Sequence, residues 1–533
     1  MAELSLPRPE LNGPPVIDLA AVPDGPRSIM DRLCSAGHAA YLVGGCVRDL
    51  LAGRQPADWD VATDARPDEL LVLFPGARYE NRFGTVGVEA GAAVHEVTTF
   101  RADGTYRDYR RPDDVVFADR LEADLARRDF TINAMAIGRD PRTESPDAPA
   151  RLVDPYSGRA DLAAGVVRAV GDPAVRFRED ALRLLRAARF ASQLDFAVEP
   201  GTRAAMAVAA DLARHLSGER VHAELARLLA AARPSVGLRL LAETGVLAIV
   251  APDLDRQRGI PQAKVPGDDL WDHTCRTVDA APADRPRVRW AALLHDLGKP
   301  ATFADDHFVG HEAVGATLAA AWLEGLRAPR AEIERIAHLV RLHMFAYEPG
   351  WSDAAVRRFI RRVGPTALDD LLALRVADNV GSGLPAGYGG LDELGRRCWD
   401  ALRDRAALRR GDLAVDGADL VQALGIPPGP VIGRLLEMLL DRVIGDPVLN
   451  HRARLLELAR ELAQAEEDTG SGRGEARSPA TDAARSAAME APMSAGEPLA
   501  SEADAPAADA PASGGEPRAS EGPVLASGGE RAP

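Results

Sequence analysis

The chain has 533 residues, 46% of them apolar, and a formal charge of −16 at pH 7, so it can bury several cores and is no peptide-sized module. It has no apolar run of about eighteen residues, and its N-terminus has no basic segment leading into an apolar one, so neither a helical membrane span nor a secretory signal is expected, and a cytoplasmic location is. Cys34, Cys46, Cys275 and Cys398 have no paired spacing, which argues against a disulfide framework and against cysteine-ligated zinc.

Charge is unevenly placed. Residues 466–533 hold thirteen acids, five arginines and no aromatic residue, a charge of −8 that leaves −8 on the body. Such a segment buries too little apolar surface to offset its ordering entropy and reads as a disordered acidic tail. Residues 1–25 read as a flexible N-terminus. Only Lys264 and Lys299 are lysines, the remaining cations being arginine.

In chain order, residues 26–52 read as a helix, the apolar strand "AAYLV", a Gly44-Gly45 turn and a second helix "CVRDLLAG" closed by Gly53. "DWDVAT", "RFGTVGVEA" and "AVHEVTTFR" add candidate strands. Between Arg101 and Arg111, "RADGTYRDYRR" has the composition of a mobile loop. The fold class over 26–170 is therefore α+β. From Arg176 the strands give way to Ala/Leu/Arg helices, "VRFREDALRLLRAARFASQL" first, and 171–250 reads as an all-α unit. Three prolines and two glycines in 251–270 mark a boundary. Helices carrying most of the histidines follow over 260–390, and a helical body over 391–465.

Asp58 and Asp60, two residues apart on the expected strand, point to one face, where a hard divalent cation could bind. Glu96, mid-strand among apolar residues, is a third carboxylate whose burial would be costly without a cation or partner. The Gly44-Gly45 turn presents backbone N–H groups to a triphosphate, with Arg48 one turn on. Together these are parts of two-metal phosphoryl or nucleotidyl transfer. Taken singly, a Gly-Gly before a helix is more often a turn and an Asp-x-Asp more often a solvated strand edge.

The order of these motifs, followed by "RRDFTINAMA" (127–136), "VDPYSGRADL" (153–162), "REDALRLLRAARF" (178–190) and "SGERVHAEL" (217–225), closely resembles the class II tRNA nucleotidyltransferase and bacterial poly(A) polymerase family over about residues 26–250. The resemblance implies a nucleotidyltransferase head related to polymerase β, then a helical neck that binds RNA. It implies catalytic Asp58 and Asp60 with Mg2+ on them, to which Glu96 is added from its own position as the third catalytic acid, and nucleotide contacts from Gly44, Gly45, Arg48, Arg128, Asp129, Asn133, Arg186 and Arg189. Asp180 and Arg183 stand three residues apart, which by spacing is equally a base-reading pair or an intrahelical ion pair. The resemblance makes them the base reader. Cytosine and adenine both offer an amino donor beside an unprotonated ring nitrogen, which suits one acceptor and one donor.

His273, the doublet His295-Asp296, His311, His343 and Asp378 form an ordered set that resembles the HD phosphohydrolase superfamily. It implies a divalent metal site, with a second completed by His311 and His343. Mixed nitrogen and oxygen ligands suit Mn, Ni, Fe or Mg. His338 competes with His343, and Lys299 is either a phosphate contact or an exposed helix end. The activity implied is addition of the 3′-terminal CCA to tRNA from CTP and ATP. The alternatives are a poly(A) polymerase, or an HD phosphohydrolase with a non-catalytic head.

Overall fold

The structure, a computed structural model, describes residues 21–471 apart from 82–83, 92, 103–115, 146–148, 263, 306 and 405. The expected tail beyond Ser471, residues 1–20 of the expected flexible N-terminus and most of the 101–111 loop lie outside the described residues. Ordered structure begins earlier than residue 26: Val22 is buried and the first helix, α1, is Asp24–Ser35.

The head contains β1 (Ala40–Val43), α2 (Gly45–Leu51), β2 (Val61–Thr63), α3 (Pro67–Leu73), β3 (Arg78–Asn81), β4 (Thr85–Ala90), β5 (Ala93–Thr99), β6 (Arg101–Ala102), β7 (Val116–Phe117), α4 (Leu121–Ala126), β8 (Ala136–Arg139), β9 (Arg151–Val153) and α5 (Gly158–Ala164). Its seven-stranded sheet has the order β3-β4-β5-β2-β1-β8-β9. β2 and β5 run parallel, the other neighbours antiparallel. β1 is buried on both faces because it is central. With side chains alternating at period two, Ala40 and Leu42 enter the main core, whereas Tyr41 and Val43 enter a smaller one with Phe100, Leu121 and Leu125.

The neck comprises α6 (Pro173–Glu179), α7 (Leu182–Leu194), α8 (Pro200–Ala209), α9 (Gly218–Leu229), α10 (Pro234–Glu243) and α11 (Val246–Val250). The single helix expected through 175–194 is broken. Asp180 is extended (φ −146°, ψ 105°) and its carboxylate accepts from the Leu182 N–H at 3.0 Å, so it ends α6 and supports the start of α7. Buried Gly237 on α10 lets that helix close on α7: a Cβ there would come within 2.4 Å of the Ala188 carbonyl oxygen.

Next come α12 (Pro252–Asp255), α13 (Leu270–Ala280), α14 (Pro286–Leu294), α15 (Lys299–Thr302), α16 (His311–Gly325), α17 (Arg330–Leu342), α18 (Asp353–Val363), α19 (Leu368–Gly381), α20 (Leu391–Arg403), α21 (Gly417–Leu424), α22 (Pro430–Gly445) and α23 (Arg452–Ser471). Segment 251–270 does not divide the core: Leu254 and Trp271 belong to one cluster, and α10 packs on both α7 and α13. The described residues up to Leu462 accordingly form one compact unit. The last helix passes residue 465, the expected end of the helical body, and reaches Ser471.

Candidate active site and metal centre

The Gly-Gly turn opens onto a cleft of about 1270 Å³ between head and neck, lined by Gly44, Gly45, Arg48, Asp58, Asp60, Glu96, Arg128, Asp129, Asn133, Asp180, Arg183, Arg186 and Arg189. Gly44 sits at φ +76°, which favours glycine, and a Cβ there would meet Arg128 Nη1 at 2.8 Å and displace that guanidinium from the cleft.

Asp58 and Asp60 are not within the strand as expected; they immediately precede β2. The extended geometry nevertheless persists, because the Val43 N–H donates to the Asp60 carbonyl at 3.1 Å and prolongs the β1–β2 ladder. Trp59 turns inward (7% exposed) while Asp58 is exposed and Asp60 half-buried, so both carboxylates keep one side. Glu96 is exposed on β5, so the expected cost of burying it does not arise. Val61 and Val97 are register partners in the parallel β2–β5 pair, which brings Asp60 and Glu96, one residue before each, to adjacent positions. Burial pushes the Asp60 carboxyl up, Arg128 opposes this, and Asp58 adds to it. A carboxylate raised in part by a neighbouring carboxylate suits a site where a hard cation offsets both charges.

Behind the turn, Arg48 donates to Asn133 Oδ1 at 2.9 Å, Asn133 donates to Asp129 Oδ1 at 3.2 Å, and Arg186 donates to Asp129 Oδ2 at 2.7 Å. Arg189 reaches Glu224 on α9 at 2.6 Å. Burial acts to raise the Asp129 carboxyl, but Arg186, Arg183 and Asn133 overcome it and hold it at about 2. Asp180 and Arg183 do not pair with each other. Asp180 takes Arg220 Nη2 on both oxygens, at 2.8 and 3.0 Å. Arg183, 8% exposed, donates to Glu179 at 2.5 Å and to the carbonyls of Arg176 (2.8 Å) and Arg127 (2.7 Å). Arg220 and Glu224 join the site although no motif singles them out. Both lie in "SGERVHAEL", where their spacing on α9 was the available signal.

The second centre gathers all six expected residues from separate helices. His273 comes from α13, His295 and Asp296 follow α14, His311 opens α16, His343 ends α17 and Asp378 lies on α19. Buried Asp296 stands between two groups. Its Oδ2 is 3.4 Å from His273 Nε2 and 3.1 Å from His295 Nε2, while its Oδ1 is 3.4 Å from His311 Nε2 and 3.8 Å from His343 Nε2. Asp378 Oδ1 lies 3.3 Å from His273 Nε2. Backbone carbonyls of Ala292, Phe308 and Val340 hold the Nδ1 atoms of His295, His311 and His343 at 2.8, 2.7 and 2.6 Å. That fixes each ring with Nε2 turned inward, as a metal ligand requires.

Burial drives His343 down to about 3, with His295 adding to the effect, so its ring is neutral. Burial would raise the Asp296 carboxyl, but His295, Lys299 and His273 hold it well below the usual range. Its Oδ2 is buried among cationic and imidazole neighbours, with Lys299 Nζ and His295 Nε2 beside it but no well-directed hydrogen bond, and a cation bound there would satisfy it directly. Among the described residues, the only metal-compatible clusters are His273–His295–Asp296 and Asp296–His311–His343. The head carboxylates do not converge to that degree. His338 instead reaches the Val363 carbonyl at 2.7 Å. Lys299 is 6% exposed and 2.8 Å from Asp296 Oδ2, not at an exposed helix end, and Lys264 is 3.6 Å from Asp378. Both lysines of the chain therefore face this centre.

A mixed sheet carrying paired carboxylates, an arginine-lined cleft against helical neck and a separate histidine–aspartate centre define a nucleotidyltransferase joined to an HD domain. Comparison with known families agrees: residues 40–168 match the Poly A polymerase head domain, 195–258 the "Probable RNA and SrmB- binding site of polymerase A", and 267–380 the HD domain. The chain is 32% identical over 429 residues to the CCA-adding enzyme of Geobacillus stearothermophilus, covering 80% of this chain and 94% of the relative. It is 36% identical over 445 residues to the A-adding tRNA nucleotidyltransferase of Deinococcus radiodurans, covering 78% and 94%. The crystal structure of Bacillus stearothermophilus CCA-adding enzyme in complex with CTP superposes with a TM-score of 0.64 at 30% identity, covering 83% of this chain and 98% of that one. The chain belongs to the tRNA nucleotidyltransferase family that contains the CCA-adding enzymes.

Proposed function

We propose that this protein completes the 3′ end of tRNA by adding C, C and A from CTP and ATP with release of pyrophosphate, and that the head–neck cleft is where it does so. The observation that carries the reading is that one cleft joins the Gly-Gly turn, the carboxylates Asp58, Asp60 and Glu96, and the polar face of α7. The turn's N–H groups and Arg48 bind the triphosphate. Asp58 and Asp60, with Glu96 beside them, hold the family's divalent metal, proposed to be Mg2+, which supplies charge neutralisation at the reacting phosphate. Arg128, Asp129 and Asn133 orient the triphosphate and ribose.

Base choice follows from valence. A carboxylate offers about four acceptor sites. Among the described residues, Leu182 N–H and Arg220 use both sites on Oδ1 of Asp180 and one on Oδ2, leaving one for the amino group of cytosine or adenine. Arg183 has three of its five N–H groups engaged and can donate another to the unprotonated ring nitrogen. Uracil and guanine would set a carbonyl oxygen against the carboxylate.

The test is to incubate tRNA lacking its last three nucleotides, and tRNA lacking only the last, with CTP and ATP and to sequence the additions. CCA on the first is expected. A single A, added only to the second, would instead match the activity in the Deinococcus relative's name, and a long adenosine tract would make this a polymerase.

The HD centre supports a second, separate activity: metal-dependent phosphoester hydrolysis. Asp296 shared between two ligand groups, with Lys299 and Lys264 alongside, favours a Mn, Ni, Fe or Mg site facing an anion. Hydrolysis of an aryl phosphodiester probe that disappears in Asp296→Ala would support it; an equal rate in both proteins would dismiss it.

A further inference from the structure

On α7, Arg183, Arg186 and Phe190 follow at intervals of three and four residues and line the cleft along one stripe. Phe190 is 5% exposed and stands edge-on to fully buried Phe130, with centroids 5.7 Å apart and planes at 82°. Three guanidinium groups surround its ring: Arg189 at 4.0 Å from the centroid, Arg48 at 5.4 Å and Arg186 at 5.5 Å. Each of the three uses its N–H edge elsewhere. Arg48 engages Asn133 and Asp49, Arg186 engages Asp129, and Arg189 engages Glu224 and Gln193. What they share is the ring.

Each guanidinium is paired with its own carboxylate, Asp49, Asp129 or Glu224, and the electron-rich face of the ring is the further favourable contact common to all three. A leucine of similar bulk would fill the space without offering it. The arginines also come from two directions. Arg48 belongs to α2, directly behind the Gly-Gly turn, whereas Arg186 and Arg189 belong to the helix that carries Arg183. We propose that Phe190 is a positioning residue for the incoming nucleotide: its ring face, acting through Arg48, Arg186 and Arg189, keeps the triphosphate-binding turn and the base-reading helix in register. The proposal rests on the cleft being the nucleotide site.

Fluorination separates this role from packing, because fluorine withdraws charge from the ring face while changing its shape little. Phe190 is replaced in the full-length chain by mono-, di- and trifluorophenylalanine, and KM and kcat are measured for CTP and ATP on tRNA lacking its terminal nucleotides. KM for both nucleotides should climb stepwise, to on the order of tenfold for the trifluorinated ring, with kcat changed less than about twofold. A flat series, whether Phe190→Leu is impaired or not, would reduce the ring to core packing and overturn the proposal. Arg186→Ala, measured alongside, tells the two failures apart. If it leaves KM unchanged, the nucleotide reading of the cleft falls; if it raises KM while the fluorinated series stays flat, only the role of the ring falls.

Discussion

Replacing Asp180 by asparagine tests base selection without dismantling the joint in which it sits. The Asn oxygen can still accept the Leu182 N–H that Asp180 now accepts at 3.0 Å, so the start of α7 survives. Arg220 loses its ion pair, but both side chains are 22% exposed, and such a pair contributes about 0.5–1 kcal/mol. The site facing the base changes more, because the amide nitrogen places a donor where Oδ2 offered an acceptor. That donor opposes the amino group of cytosine and adenine and suits the carbonyl oxygen of uracil and guanine. One base contact is worth about 1–3 kcal/mol. The kcat/KM ratios for CTP over UTP and ATP over GTP should therefore fall on the order of 10- to 100-fold, measured by single-nucleotide incorporation on defined tRNA ends. Unchanged ratios beside a uniformly slower reaction would leave Asp180 as a helix-start residue and remove it from base reading.

Asp58→Ala and Asp60→Ala should each abolish nucleotide addition while leaving the thermal midpoint within a few degrees of wild type, since neither carboxylate is buried in the core; substantial turnover at saturating Mg2+ would refute the assignment. The double variant His295→Ala, Asp296→Ala should lose bound divalent metal, read by elemental analysis after dialysis, while a folded sample still adds CCA; loss of both would show that the two centres are not independent. Arg220→Ala should lower CTP-over-UTP discrimination less than Asp180→Asn does, on the order of a few-fold, because it frees Asp180 without removing it. Asp129 has a folded-state carboxyl at about 2 against an ordinary 3.8, so its stabilisation, about 2–3 kcal/mol, is complete above the ordinary value and is lost as pH falls through about 2. Urea midpoints measured between about pH 5 and pH 2 should fall less steeply in Asp129→Asn than in wild type, and parallel curves would contradict this.

How much was legible beforehand depended on whether a feature is local or made by contact. The Gly44 turn, α2 and β1 could be read because an apolar run and a glycine pair act over a few residues, and the structure forms them there. The α6–α7 break could not. Its helical periodicity continues through Asp180, and what stops the helix is that residue's side chain engaging Leu182 N–H and Arg220, forty residues away. Glu96 was misjudged for a related reason: apolar neighbours in sequence say nothing about which side of β5 faces the open cleft. Lys299 was ambiguous until α16 and the Phe308 segment closed over it.

The HD ligands show the same division at the scale of a whole site. Their order along the chain suggested one centre, but nothing local says that Asp296 turns one oxygen to His273 and His295 and the other to His311 and His343. That arrangement depends on five helices meeting at their ends and inner faces. The same packing sets the limits of independence between the two centres. α10 contacts both α7, which carries Arg183, and α13, which carries His273, and Asp279 of α13 holds the start of α10 through Ser235 N at 2.9 Å and Ser235 Oγ at 2.6 Å. Changing ligand atoms at the HD centre leaves that joint in place. Asp279 is therefore the side chain that ties α13, with His273, to the helix on which α7 packs.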